Sequence, residues 1–316
     1  MPDLTKYIDL IKNGDVVAFP TETVYGLGAD AWNPAAIQKI FTIKNRPSDN
    51  PLIVHVSSKD QVRDFSEKIP DSADLLITEF WPGPLSLVLQ KKSKVLDAVT
   101  AGLDTVAIRM PDHEIALEFI SKTGPLVAPS ANRSGRPSPT RAEHVKADFG
   151  DHFPVIDGKA TKVGLESTVL DLTGDQPEIL RPGSISRKEI EDVLGFSVHE
   201  SFFEHMDRPK SPGQKYSHYK PEAEVRWLKA KEVPDNQEYL YLLLDSSYPV
   251  SPNIIAYDND LDQMARELYD RFRQADIEGY HSVIIEDFSE MNHPLVSALL
   301  NRVRKAIGYS SNTPNV

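Results

Sequence analysis

The stretch KNRPSDNPL concentrates groups that could bind phosphate, because Lys44, Arg46 and Asn50 fall within seven residues. Arginine offers phosphate a fork of donors and lysine offers a point charge, so the stretch could clamp a polyphosphate. Pro47 predicts that a helix ends here, and a basic helix end also complements the helix dipole. From these residues alone, the anion site and the basic helix end remain alternatives.

A second candidate stretch is VAPSANRSGRPSPTRAEHV, in which a predicted strand leads into Ser130 and Asn132. Small polar residues at the carboxyl end of a strand are where open α/β sheets bind ligands. The alternative is an ordinary polar loop before the next helix, for which Thr140 and Glu143 predict a capping box.

Two arginines and one histidine interrupt apolar strands. Arg109 lies in VAIRMP, Arg181 in ILRPGSIS and His55 in LIVHVS, while Ser167 precedes the strand in GLESTVLDL. A buried arginine requires a carboxylate, which either the ligand or an internal Asp or Glu could supply. A histidine at such a position is more often a core residue with its hydrogen bonds satisfied. No second histidine lies at ligand spacing from His55, so the sequence does not predict a metal site there.

The stretch FPTETVYGLGAD places Thr23, Tyr25, Gly26 and Gly28 directly after a predicted strand. Hydroxyls and glycines there can form a turn or hold a small polar ligand. The chain has no Walker-type glycine loop, and these two glycines lack the third member of a dinucleotide-binding fingerprint.

Alternating apolar runs and helical patterns up to residue 195 predict one α/β domain that positions these stretches. Asn33 before Pro34 predicts a helix start, and capping boxes are predicted at Ser58 with Gln61 and at Ser186 with Glu189. The expected division is a first α/β domain at 1–200, a linker at 201–222 and a small α/β domain at 223–316. In the last domain, apolar residues at helical spacing run from Leu261 to Phe272 and from Leu295 to Ile307.

Composition limits the function classes. The 316 residues carry a net charge of −12, which disfavours bulk attraction to nucleic acid or anionic membranes. There is no cysteine, so thiolate catalysis and Cys-based zinc sites are excluded. No signal peptide or membrane-length apolar run is seen, and we expect a cytoplasmic enzyme with no membrane contact.

The collinear motifs PTETVYGLGAD, KNRPSDNPLIVHV, AIRMP, APSANRSGRPSPT, GLESTVLDL and LRPG closely resemble the YrdC-like domain of threonylcarbamoyl-AMP synthases over about residues 8–195. The linker SPGQKYSHYKP and the following domain resemble the two-domain version of that family, although Gln214 stands where the family often has methionine. The resemblance implies a twisted open α/β sheet with a concave basic cavity and a smaller, Rossmann-like C-terminal domain. It also implies that L-threonine, bicarbonate and ATP with Mg²⁺ give threonylcarbamoyl-AMP and pyrophosphate. A separate transferase complex would then use the product to modify the adenosine beside the anticodon of tRNA.

The resemblance also implies roles for individual residues. The family's catalytic tetrad maps onto Lys44, Arg46, Ser130 and Asn132. The expected ATP contacts are those four residues with Asn50, Thr105, Thr140, Arg181, Tyr216 and Tyr219. The expected threonine contacts are Thr23, Tyr25, His55, Arg109 and Ser167. The expected lid over the cavity is formed by Lys215, Tyr216, His218 and Tyr219, and no protein metal site is expected.

Two other function classes remain alternatives. Related domains have been regarded as binders of double-stranded RNA, and weak direct contact with tRNA would fit the cavity, although the acidic net charge disfavours RNA binding as the main task. The same domain also occurs in hydrogenase-maturation carbamoyltransferases. Those proteins carry zinc-finger and acylphosphatase segments, which this cysteine-free chain lacks.

Overall fold

The computed structural model describes residues 2–200, 219–248 and 251–308. Within these ranges the chain forms two β-sheets with helices packed against them. The strands are β1 Val17–Phe19, β2 Gly26–Asp30, β3 Ile53–His55, β4 Leu85–Gln90, β5 Thr105–Arg109, β6 Leu126–Val127, β7 Thr168–Asp171, β8 Glu178–Arg181, β9 His199–Glu200, β10 Glu224–Trp227, β11 Tyr239–Leu243, β12 Ile254–Ala256 and β13 Ser282–Ile285. The helices are α1 Thr5–Lys12, α2 Pro34–Lys44, α3 Val62–Phe65, α4 Asp71–Phe80, α5 Asp97–Thr100, α6 Glu114–Thr123, α7 Ala142–Phe149, α8 Arg187–Leu194, α9 Leu261–Glu278 and α10 Val296–Ile307. No helix of the described part is long and apolar enough to cross a membrane.

The first sheet is mixed and has the strand order β1-β2-β6-β3-β5-β4-β7-β8-β9. Strand β3 runs parallel to β5, with His55 beside Arg109, and β7 runs antiparallel to β8, with Val169 beside Arg181. Because side chains alternate along a strand, Ile53 and His55 share one face and Val54 points to the other.

The two faces of this sheet have different surroundings. Val54, Ile108 and Leu170 belong to the main core, which helices α2 and α4 cover. On the opposite face, Ile53, Val88, Ala107, Val169 and Leu180 form a small apolar cluster of their own. That second face is the one on which the polar residues of β3 and β5 lie.

The second sheet is entirely parallel and has the strand order β10-β13-β11-β12. The predicted helical spacing is confirmed, because Leu261, Met264 and Phe272 of α9 are buried in its core together with Leu299 and Val303 of α10. A small parallel α/β unit is therefore what the apolar pattern and the structure both indicate.

The two sheets pack through a shared interface. Val24 and Leu165 of the first part are buried in the core of the second. Gly164 has φ +81°, and a Cβ there would come within 2.5 Å of the backbone of Ala265 and Arg266 in α9. Only glycine therefore permits this approach without strain.

Candidate active site

A cleft lies over the second face of the first sheet, where loops from both ends of the sheet converge. It has an interior volume of about 60 Å³, or about 710 Å³ when its open mouth is counted. Its lining comprises Thr21, Thr23, Val24, Gly26, Lys44, Arg46, Ile53, His55, Arg109, Ala128, Pro129, Ser130, Asn132, Ser134, Glu166, Ser167, Arg181 and Tyr219. The predicted motifs therefore meet on a face of the sheet and not simply at one strand edge.

Lys44 is a buried cation at the end of α2. Its Nζ donates to the carbonyl oxygens of Ser130 and Asn132 at 2.6 and 2.5 Å, and Asn45, with φ 52°, turns the chain directly after it. No carboxylate of the described residues lies within 4.0 Å of Nζ. Burial and the neighbouring Arg46 charge lower the pKa of Lys44 well below its ordinary value. A bound anion would favour the charged form again.

Arg46 lies beside Lys44 and is also buried. Its Nη2 donates to the carbonyl oxygens of Asn50 and Pro51 at 3.3 and 3.1 Å. The side chain of Asn50 does not line the cleft, so the structure gives this residue the role of holding Arg46 through its backbone. Lys44 and Arg46 together form a cationic end of the cleft.

Arg181 and Ser167 form one unit on the opposite wall. The guanidinium donates to the Ser167 carbonyl at 2.9 and 3.1 Å and to its Oγ at 3.0 Å. The Ser167 Oγ also lies 2.8 Å from the Oγ of Ser86. Burial is the main cause that lowers the pKa of Arg181, and nearby Arg302 and Arg109 act in the same direction.

Arg109 has an internal partner, which is the second of the two options left open by the sequence. Its Nη2 lies 2.7 Å from Oε1 of buried Glu22, and its Nε donates to the Gly83 carbonyl at 3.2 Å. The contact with Glu22 is an ion pair and does not have hydrogen-bond geometry. Arg109 is therefore largely compensated within the protein, unlike Lys44.

His55 is a neutral side chain on the floor. Burial, with a contribution from the Arg109 charge, lowers its pKa to about 3, and its Nδ1 lies 3.2 Å from the carbonyl oxygen of Ile53. Its ring meets that of Phe19 edge to face, with centroids 6.1 Å apart. His55 can therefore contact a ligand as a neutral imidazole at physiological pH.

The stretch after β1 forms a turn and lines the cleft as well. The Thr21 hydroxyl donates to the Val24 carbonyl at 2.7 Å and lies 2.8 Å from the Thr23 hydroxyl, which brings Thr21, Thr23 and Val24 to the lining. Gly26 lines the cleft too, whereas Gly28 is required by packing, because a Cβ there would lie 2.9 Å from the ring of Phe19.

Three further predicted site residues do not line the cleft. The Tyr25 hydroxyl donates to the Lys159 carbonyl at 2.7 Å and accepts from the Gly158 amide. Thr105 begins β5, at the end opposite to Arg109. Thr140 is buried, and its amide donates to Nδ1 of His144 at 3.2 Å. The predicted capping role of Thr140 is wrong, because Arg141 occupies the N-cap position of α7 without a side-chain cap.

The predicted lid is described only at its last residue. Lys215, Tyr216 and His218 lie outside the described residues, whereas Tyr219 is buried and lines the cleft. Its ring centroid lies 5.3 Å from that of Tyr269 in α9. Burial, followed by the charge of Glu166, raises the pKa of Tyr219.

Glu166 was not among the predicted site residues, although it lies in the motif GLESTVLDL. This residue provides the one carboxylate among the described residues that line the cleft. Its Oε2 accepts from Tyr269 and Arg302 of the second sheet's helices, at 2.9 and 3.0 Å, and its Oε1 accepts from Ser138. The available signal was a carboxylate directly before a predicted strand, since such a group is rarely buried without a partner.

The charges of the lining favour a polyanion. Lys44, Arg46 and Arg181 converge on one space, and the neighbouring carboxylates Glu22 and Glu166 each pair with an arginine. The described residues contain no group of three or more His, Asp or Glu that could hold a metal.

Two protein-family models match the chain in succession. The Sua5, YciO and YrdC family, described as telomere recombination, matches residues 9–183, and the C-terminal domain of threonylcarbamoyl-AMP synthase matches residues 185–308. The second match begins ahead of the predicted boundary at residue 200, and α8 packs on the first core, so the exact division remains a prediction.

Curated relatives and a solved structure agree with these matches. Threonylcarbamoyl-AMP synthase of Pyrococcus abyssi is 43% identical over 95% of this chain and 92% of that protein. The Bacillus subtilis enzyme of the same name is 41% identical over 97% of this chain and 93% of its own length. The crystal structure of P. abyssi Sua5 complexed with L-threonine is similar with a TM-score of 0.88 and 40% identity, covering 97% of this chain and 94% of that chain. This chain therefore belongs to the threonylcarbamoyl-AMP synthase family, in the version with both a YrdC-like and a C-terminal domain.

Proposed function

We propose that this chain is an L-threonylcarbamoyl-AMP synthase, a nucleotidyltransferase that converts L-threonine, bicarbonate and ATP into threonylcarbamoyl-AMP and pyrophosphate. The observation that carries the proposal is Lys44, a buried cation whose Nζ has only two carbonyl partners in the described structure and faces a cleft with Arg46 and Arg181. A buried charge of this kind is stabilised when an anion binds. The polyphosphate of ATP supplies that anion.

The reaction joins two steps. The amine of threonine and bicarbonate form a carbamate with loss of water, and a carbamate oxygen then attacks the α-phosphorus of ATP. The new phosphorus–oxygen bond replaces the bond to the β-phosphate, and pyrophosphate leaves with that electron pair. Such a displacement needs alignment and charge neutralisation more than a covalent nucleophile.

The cations of the cleft would provide these two effects. Lys44, Arg46 and Arg181 would neutralise the charge that grows on the leaving pyrophosphate. Ser130 and Asn132 contribute the carbonyls that fix Lys44, and the buried Oδ1 of Asn132 has no hydrogen-bond partner among the described residues. Mg²⁺ would enter with ATP and add further charge neutralisation on the phosphates.

Threonine would bind at the other end of the cleft. Arg109 and the Ser167 hydroxyl offer donors for a carboxylate, and the Thr23 hydroxyl and neutral His55 offer polar contacts for the side chain. The relative in P. abyssi is described as a complex with L-threonine, which supports an amino-acid site in this fold. Tyr25 is not part of this assignment, because its hydroxyl is bonded away from the cleft.

Several wider roles follow as proposals of the same kind. Tyr219 would cover the bound nucleotide and exclude water, because a carbamoyl-adenylate hydrolyses easily. The product would pass to a tRNA-modifying transferase complex, with at most weak contact between tRNA and this chain. A cytoplasmic location fits these roles.

The test is pyrophosphate release from ATP in the presence of Mg²⁺, bicarbonate and L-threonine, with serine and alanine as amino-acid controls. We expect release to require threonine and bicarbonate together. Release without threonine would indicate a different acceptor. ATP binding without any release, combined with steeply salt-dependent tRNA affinity, would favour the RNA-binding alternative.

A further inference from the structure

Glu166 places a negative charge in the wall of a cleft that must hold a polyanion. It is buried, with 6% of its surface exposed, and lies in the same lining as Lys44, Arg46 and Arg181. Burial alone would raise the pKa of its carboxyl, but the charges of Arg302 and Arg181 and the Ser138 hydrogen bond outweigh burial and hold the pKa at about 2. Glu166 is therefore ionised at neutral pH and would repel ATP if it were unpaired.

The compensating charge comes from the second domain. Arg302 lies in α10 and is fully buried. Its Nε donates to Oε2 of Glu166 at 3.0 Å, and its Nη1 donates to the carbonyl of Pro182 at 2.6 Å. The guanidinium therefore bridges Glu166, which precedes Ser167, and Pro182, which follows Arg181 at the end of β8.

The same arginine also reaches the residue that covers the cleft. Its guanidinium carbon lies 5.5 Å from the ring centroid of Tyr219, within cation–π range. Tyr269 of α9 donates to the same Glu166 oxygen as Arg302 and packs against Tyr219. Contacts from both helices of the second domain thus end on the cleft wall at Glu166.

We propose that Arg302 is a positioning residue of the second domain that neutralises Glu166 and so keeps the wall of the cleft on which Arg181 lies cationic. The second domain then strengthens ATP binding without touching ATP. This inference rests on the proposed function, because it assumes that the cleft binds the nucleotide.

A simple docking role for Arg302 is the competing explanation, and the interface offers a matched comparison. Arg273 of α9 is also buried and pairs across the interface with Asp148, at 3.2 and 2.9 Å. Asp148 does not line the cleft. Loss of Arg273 therefore removes a docking contact of the same type and leaves the unpaired carboxylate outside the lining, where the Asp148 charge acts on Lys44 in the direction that favours its charged form.

The test is a charge cycle in the full-length protein: wild type, Arg302→Met, Glu166→Gln and the double variant. ATP binding is measured by calorimetry with Mg²⁺ and without threonine or bicarbonate, so that no turnover occurs. Without the Arg302 charge, the Glu166 carboxylate is compensated less and competes with the phosphates for Arg181, which should weaken ATP binding in Arg302→Met by about tenfold or more. Glu166→Gln should not weaken it, and the double variant should return to within about threefold of wild type.

A purely structural role gives a different result. If docking were the cause, the double variant would bind ATP as weakly as Arg302→Met, and that outcome would overturn the proposal. Arg273→Met is the control, and we expect its ATP affinity to stay within about threefold of wild type. Weakening of Arg273→Met equal to that of Arg302→Met would likewise favour docking.

Two further measurements keep the test decisive. If Arg302→Met does not fold, Arg302→Lys keeps the charge: affinity within about threefold of wild type supports the proposal, and tenfold weakening contradicts it. Threonine-dependent pyrophosphate release by the wild type is measured separately. Its absence would refute the proposed function, whereas normal release with a failed charge cycle would refute only the role of Arg302.

Discussion

Lys44→Met is the substitution that most directly tests the phosphate assignment. Methionine is close to lysine in length and removes the charge without leaving a large cavity. In the wild type, Nζ lies 2.6 and 2.5 Å from two carbonyls, and no carboxylate of the described residues pairs with it. A bound phosphate would therefore be its main counter-charge.

The expected loss follows from the charge interaction. Two unit charges 4 Å apart interact by about 4 kcal/mol at an effective dielectric constant of 20. If this interaction is realised in the transition state, kcat/KM for ATP should fall about 10³-fold. Steady-state pyrophosphate release at saturating threonine and bicarbonate measures the change.

The effect on stability should be small, because two contributions oppose each other. Methionine leaves the carbonyls of Ser130 and Asn132 without their charged donor, which costs roughly 1–3 kcal/mol for each buried acceptor. It also removes a buried cation, whose desolvation penalty is several kcal/mol. We expect the free energy of unfolding to change by less than about 2 kcal/mol, a shift of a few degrees in Tm.

Lys39→Met is the matched control, since Lys39 lies on the same helix but is partly exposed and pairs with Asp15. Its kcat/KM should equal that of the wild type. Lys44→Met retaining more than a tenth of the wild-type kcat/KM would refute the assignment, and so would a variant that loses its cooperative unfolding transition, because Lys44 would then be structural.

Three further predictions test other parts of the molecule. Thr23→Ala should raise the Kd for threonine by about 5–10-fold, which corresponds to the loss of one hydrogen bond, and should leave the Kd for ATP unchanged. Equal weakening of threonine and ATP binding in titrations would contradict the assignment of Thr23 to the threonine site. Glu166 has a pKa of about 2 in the folded chain, below its ordinary value of 4.5. The ionised carboxylate therefore contributes its full share to folding stability above pH 4.5, and this contribution is lost as the pH falls toward 2. Denaturant unfolding should therefore show the stability gap between wild type and Glu166→Gln narrow over that range by about 3 kcal/mol, and a constant gap would contradict the assigned ionisation. Gly164→Ala should destabilise the chain by about 2 kcal/mol or more, through strain at positive φ and contact with α9, and an unchanged Tm would show that the interface adapts.

Local signals predicted the elements well. Asn33 accepts from the amides of Ala35 and Ala36, and both predicted capping boxes are present, at Ser58 with Gln61 and at Ser186 with Glu189. These interactions span three residues or fewer, so the sequence carries all the information that they need. Thr140 is the exception, because its amide donates to the side chain of His144 and not to a capping glutamate.

The sequence indicated several of the residues that line the cleft, but not which charges pair with one another. The motifs that contain Lys44, Ser130 and Arg181 do meet in one cleft, as their order along the chain indicated. The partners of the buried charges are distant, since Glu166 and Arg302 are separated by 136 positions. No periodicity or spacing rule reports a contact of that range. Nor does residue type reveal that the cleft lies on a face of the sheet, which depends on the register of β3 against β5.

Arg109 and Lys44 differ in whether the protein supplies a carboxylate close to the side chain, and the sequence does not reveal this difference. Both are buried cations that line the cleft, and sequence reasoning treated both as candidates for holding anions. Glu22 lies 2.7 Å from Arg109, so the charge at that end of the cleft is largely balanced, which suits a zwitterionic ligand without net charge. Among the described residues Lys44 has only carbonyl partners, so its end of the cleft is cationic and suits a polyphosphate. If the proposed function is right, this internal carboxylate would orient the two substrates: threonine would bind at the Arg109 end, where Glu22 balances the charge, and the phosphates of ATP would bind at the Lys44 end.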